Sequence, residues 1–151
     1  MVKYYEDLET GVEFRSPGRT ITETDVIMFA SLSGDWDVIH TDEEYSKKHS
    51  IFGTRVAHGL LGLAIVEGLK KRIPYFADVD NIASLGWTWN FTGPLFIGDT
   101  ISLKVSIARK RETKKPDRGI VYEAVSIVNQ RDEVIQQGEH ILMVKRRPTN
   151  T

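Results

Sequence analysis

The chain of 151 residues has no cysteine. Disulfides, thiolate nucleophiles and zinc–thiolate centres are excluded together, and the absence suits a reducing compartment. Nor is there an excess of charge. Twenty Lys and Arg stand against 21 Asp and Glu, a formal net charge of -1, so no global field favours nucleic acid or an anionic membrane. Long apolar runs are missing too. The longest, Leu60 to Val66, falls far short of the ~20 residues that cross a bilayer. The opening Met1–Asp7 is polar, with no signal-peptide core. No Gly-x-Ser-x-Gly elbow, P-loop or added basic helix is visible. A cytoplasmic protein of one domain, residues 1–151, is expected, with no nucleic-acid or membrane partner.

What is present changes period along the chain. Short strands are predicted around Val12–Arg15 and Arg19–Ile21, among turn signals at Gly11 and Ser16-Pro17-Gly18. Thr22 reads as an N-cap, with Asp25 three positions on. Val26, Ile27, Phe29, Ala30 and Leu32 then form an apolar helical face that ends at Ser33-Gly34. Thr41 and Glu44 make a capping box that predicts a helix over Asp42 to Lys48, with His40 in the loop before it. The main helix spans Gly59 to Leu69 and ends at Pro74; residues 59–66 are apolar all round, which predicts burial on every side. From Asn81 on, alternation takes over. Leu85, Trp87, Trp89 and Phe91 share one face, and strands follow at Ile101–Ile107, Val121–Val128 and Val134–Lys145 with turns between. One buried helix plus antiparallel strands predicts an α+β layout, the sheet curled around the helix.

The chemistry gathers at Ser33-Gly34-Asp35-Trp36-Asp37-Val38-Ile39-His40 and Phe52-Gly53-Thr54-Arg55-Val56-Ala57-His58-Gly59. A carboxylate beside a neutral imidazole can hold one water and move a proton near neutral pH. Asp35 as a turn residue and His40 as a surface loop residue is the alternative. Gly59 opens the main helix and presents N–H groups that the helix cannot use, which suits an oxygen gaining enolate character; close packing explains a glycine there equally well. His58 could line a site or be a packed loop residue. Trp87, Trp89 and Phe91 could wall an acyl group, or serve as core or subunit interface. The basic turn Lys114, Lys115, Arg118 fits a nucleotide phosphate or a solvated hairpin tip. His49 and His140 show no metal-ligand spacing with the other histidines.

The order Phe29-Ala30-x-Leu32-Ser33-Gly34-Asp35, Ile39-His40-x-Asp42, Phe52-Gly53 and Ala57-His58-Gly59-Leu60-Leu61 resembles the MaoC-like dehydratases, the (R)-specific enoyl-CoA hydratase group. Phe91-Thr92-x-Pro94-Leu95-Phe96-x-Gly98-Asp99-Thr100 extends the resemblance, which reaches from about Thr20 to the final strand. It implies a hot-dog fold around Gly59–Leu69, a homodimer or higher oligomer, and reversible hydration of a trans-2-enoyl-CoA. By that match Asp35 and His40 hold the water and handle the proton, and the Gly59 N–H polarises the thioester carbonyl. Phe52, Ala57 and His58 fall among the substrate-binding residues. No metal or redox cofactor is implied; coenzyme A is part of the substrate. Two departures stand out. Asp37-Val38 occupy the places where the family usually has Asn-Pro. No serine stands at Gly62, Leu63 or Ala64, near where some members carry one on the central helix. A thioesterase on the same fold and a non-catalytic acyl-CoA binding module are the competing functions.

Overall fold

Strand pairing dominates the architecture. The computed structural model describes residues 1–149. Four long strands, β3 (Asn81–Phe91), β4 (Thr100–Glu112), β5 (Arg118–Val128) and β6 (Val134–Lys145), are joined with β1 (Glu13–Arg15) in the order β1-β4-β5-β6-β3; β2 (Arg19–Thr20) also pairs with β4. All these strand pairs are antiparallel. The helices are α1 (Glu23–Ser33), α2 (Val38–Thr41), α3 (Glu43–His49), α4 (Gly59–Lys71) and α5 (Pro74–Ala77). Among the described residues no helix is long and apolar enough to cross a membrane.

The core lies between α4 and the sheet. Leu61, Val66 and Leu69 of α4 meet Ile101, Leu103, Val105 and Ile107 of β4 and Val121, Val125 and Ile127 of β5. The alternation read in β4 and β5 is thus the buried face of the sheet. Burial of α4 is one-sided, however. The sheet covers one flank, and Leu60, Ala64 and Gly68 on the other remain exposed, contrary to the all-round burial that the apolar run suggests.

The first helices also depart from their sequence pattern. Thr22 caps α1 as expected: Asp25 N–H donates to its hydroxyl and the Asp25 carboxylate accepts from its N–H. Gly34 ends α1 in the left-handed region at φ 78°, which glycine adopts without penalty. Yet only Val26 and Ala30 of the apolar face are buried, whereas Leu32 is 85% exposed. His40 lies within α2, a single turn, rather than in a loop. Asp37 caps that turn by accepting Ile39 N–H, and Thr41 closes it by donating to Asp37 O. Thr41 is therefore engaged backwards, and Asp42 takes over as the cap of α3, accepting Tyr45 N–H at 2.8 Å. The helix runs Glu43–His49, one position beyond the range that the Thr41–Glu44 pattern gives.

Candidate active site

Three elements bring the site together: the α1–α2 turn, the segment before α4, and the α4 N-terminus. Residues 52–58 carry little regular structure and are tied down by side chains. Glu43 of α3 accepts from Thr54 Oγ1 at 2.7 Å and Arg55 Nε at 2.9 Å. Arg55 Nη1 reaches Glu23 of α1 at 2.6 Å. Main-chain bonds finish the job: Val56 N–H donates to Ile39 O and Ala57 N–H to Leu95 O. His40, His58 and Gly59 are thereby held against the loop carrying Asp35.

His40 is buried, and its Nδ1 lies 2.7 Å from Val56 O. A carbonyl only accepts, so Nδ1 carries the proton and, in the neutral ring, Nε2 keeps a free lone pair. That Nε2 is 3.9 Å from Asp35 Oδ2. The gap is too wide for a direct hydrogen bond and suits a shared water. The other Asp35 oxygen accepts Asp37 N–H at 3.2 Å, a local turn that aims Oδ2 at the imidazole. The Asp37 side chain is the exposed cap of α2.

His58 sits beneath this pair. Its ring stacks on His40 with centroids 3.8 Å apart, and its Nε2–H donates to the Asp35 carbonyl at 2.8 Å. Its buried Nδ1 has no partner among the described residues. Asp35, His40 and His58 bring one atom each within 4.8 Å, a spacing that could hold a metal ion. His58 Nε2, however, is already committed to the Asp35 carbonyl as a donor, so this set fits braced acid–base groups better than ligands.

Gly59 begins α4 with no side-chain cap. Its N–H and that of Leu60 donate to no acceptor among the described residues, leaving oriented donors at the positive end of a helix. A Cβ on Gly59 would lie 2.8 Å from the Phe91 ring, so close packing also requires the glycine. A cavity of about 570 Å³ joins these groups, lined by Asp35, His40, His58, Gly59, Phe52 and Ala57, with Phe29, Phe91, Leu95 and Gln136 among the other walls. All six sequence-derived site residues therefore meet at one cavity. Trp87 and Trp89 do not line it. They pack partly buried against the core, with Trp87 stacked on His140 at 3.7 Å.

Sequence reading missed two features. Gln136 is 1% exposed and lines the cavity; nothing in its strand pattern marks it, although a polar residue at a core-facing position is a signal. The second is an ionic cluster behind the tryptophans. Lys70 Nζ lies 2.8 Å from both Glu67 and Glu123, and His140 Nδ1 lies 3.2 Å from both. Burial opposes the charge on His140, yet bonds to Glu123 and Glu67 outweigh it and raise its pKa above the ordinary 6.5. Burial would raise Glu67 too, but His140 and Lys70 bring it down to about 2. Glu67, Glu123 and His140 could also hold a cation by spacing; the Lys70 ammonium already fills that role.

The comparisons with known proteins agree with this geometry. A family model described as "MaoC like domain" matches residues 7–129. The chain is 32% identical over 147 residues to a 3-hydroxybutyryl-CoA dehydratase of Methylorubrum extorquens, covering 97% of this chain and 87% of the relative. It is 30% identical over 148 residues to an (R)-specific enoyl-CoA hydratase of Rhodospirillum rubrum, covering 97% and 95%. A solved structure from Archaeoglobus, described as a monoamine oxidase regulatory protein, superposes with TM-score 0.88 at 31% identity over 97% of each chain. A double hot-dog protein of Mycobacterium tuberculosis matches with TM-score 0.84 at 18% identity, over 99% of this chain and 46% of that one. The fold is thus an α+β hot-dog. The chain belongs to the MaoC-like dehydratase family.

Proposed function

We propose that the protein catalyses the reversible hydration of a trans-2-enoyl-CoA to a 3-hydroxyacyl-CoA. The observation that carries the reading is the 3.9 Å separation of Asp35 Oδ2 and His40 Nε2, in one cavity with the uncapped start of α4. A water between the two groups gives its oxygen to C3 and one proton to the pair. The pair returns a proton to C2. Negative charge grows on the thioester oxygen as C3 is attacked, and the Gly59 N–H is the donor suited to meet it. Phe52, Ala57 and His58 line the substrate cavity, and His58 also braces Asp35. The transfer of water and a proton needs no metal or redox cofactor; coenzyme A serves as the substrate's handle.

A homodimer belongs to the same reading. Leu60 on the open side of α4 is exposed, as are Ile82, Leu85 and Phe91 of β3, which lies at the end of the strand order. Such an edge calls for cover. A cytoplasmic setting fits the cysteine-free chain.

The test is loss of enoyl absorbance with crotonyl-CoA. Asp35→Asn and His40→Gln should each lower turnover by ~10²–10⁴-fold with thermal unfolding unchanged. Full turnover in both variants would refute the assignment. Release of free thiol without enoyl loss would point to a thioesterase instead.

A further inference from the structure

Gln136 stands where the cavity meets the packed layer between α4 and the sheet. We propose that it closes the acyl end of the cavity and restricts the protein to short, crotonyl-sized acyl groups; this inference rests on the acyl-CoA reading above.

The direction of the acyl group follows from exposure. Phe52, Leu60 and Phe91 form an exposed rim, whereas Ala57, Leu95 and Gln136 are buried. Coenzyme A carries phosphates that require water, so its arm must leave by the rim. The acyl tail then points to the buried end, where Gln136 stands.

This side chain is fixed rather than adaptable. Its Nε2 donates to Gly59 O at 3.0 Å, and its Oε1 accepts from Trp89 Nε1 at 3.0 Å. Trp89 in turn packs edge-to-face on Trp87, at 5.5 Å and 89°, and Trp87 stacks on His140. No empty layer lies behind the amide. On the helix side, a Cβ at Gly62 would collide with the same amide. The absent side chain at Gly62 is therefore what admits Gln136. A longer acyl tail would have to displace a doubly bonded buried amide and strand the Trp89 N–H, which apolar contact cannot offset.

The experiment compares binding of saturated butyryl-CoA and octanoyl-CoA by calorimetry, alongside hydration of crotonyl-CoA and 2-octenoyl-CoA. In an open apolar channel, four more methylenes would tighten binding roughly 200-fold, at about 0.8 kcal/mol each. The wild type should show no such gain and should prefer crotonyl-CoA. Gln136→Ala should shift both ratios toward the eight-carbon ligand by at least about tenfold. Gln136→Met, close in volume, should keep the wild-type ratios, which separates the plug from its hydrogen bonds. Gln136→Ser provides a second shortened side chain if Gln136→Ala fails to fold. Much tighter octanoyl-CoA binding by the wild type, or unchanged ratios in a folded shortened variant, would overturn the proposal. Absence of hydration with every substrate would count against the hydratase reading alone, because the binding ratios still test the plug.

Discussion

Replacing Lys70 by Met isolates the energetics of the buried ionic cluster. The Lys70 side chain is 2% exposed and that of Glu123 4%. With His140 protonated, the two carboxylates, the ammonium and the imidazolium sum to zero charge. Lys70→Met leaves the cluster one charge negative, with Glu123 still out of reach of water. Removing one partner of a buried pair costs about 3–5 kcal/mol. For a domain of this size that lowers Tm by roughly 6–20 °C, at about 2–4 °C per kcal/mol. Lys70→Met/Glu123→Met removes both charges and leaves Glu67 facing His140. It should recover most of the loss, because an apolar replacement of a whole buried pair is often neutral or stabilising. Thermal and urea unfolding of the two variants at pH 7 checks this. A Lys70→Met variant less than about 1 kcal/mol below wild type, or a double variant no better than the single, would refute the reasoning.

Two further outcomes follow from the same geometry. The folded-state pKa of His140 is raised, so its contribution is complete below pH ~6.5 and is lost as pH rises through the folded value; His140→Gln should flatten the alkaline side of a Tm–pH curve, and an unchanged curve would contradict the assignment. Glu67, brought from the ordinary 4.5 to about 2, contributes above ~4.5 and loses that contribution as pH falls toward 2. The full difference would be ~3.4 kcal/mol, but the side chain is 45% exposed; after solvent screening about 1 kcal/mol should disappear in Glu67→Gln, measured by urea unfolding at pH 5. His58→Ala should lower kcat by at least about tenfold with little change in KM, since His58 holds Asp35 by its carbonyl; a change in KM alone would make it a binding residue only.

The legible part of this protein is the part written in local spacing. The α4 run, the alternation through β4 and β5, and the Thr22 cap each lie within a few neighbouring residues, so their physics is visible in one dimension. Asp35, His40 and Gly59 were also legible, because turn residues and a helix start frame them. The cluster of Glu67, Lys70, Glu123 and His140 was not. Its members come from α4, β5 and β6, and only the register that pairs Glu123 with His140 brings them together. The irregularity between Ser84 and Gly86 was equally hidden. It leaves Leu85 exposed while Ser84 Oγ meets His140 Nε2 at 2.7 Å, so strict alternation misjudges that face of β3. In the α1–α2 turn, three competing caps, Asp37, Thr41 and Asp42, stand close together, and sequence spacing alone does not decide which of them wins.

That turn bears on how the site keeps its shape without the proline its relatives usually carry. A proline would restrict the backbone before His40 by its ring. Here the restriction comes from side chains: Asp35 accepts Asp37 N–H, Asp37 accepts Ile39 N–H, and His58 holds the Asp35 carbonyl from below. The first two bonds are exposed and join residues two apart. The third spans 23 positions and involves a buried ring. Its strength is therefore less open to competition by water, and it alone couples the Asp35 loop to the start of α4, where the Gly59 N–H is presented. One imidazole thus sets both the height of the carboxylate and its distance from the oxyanion donor. This is why the stacked His58, although it is turned away from the reacting water, belongs with Asp35 and His40 in any account of this site.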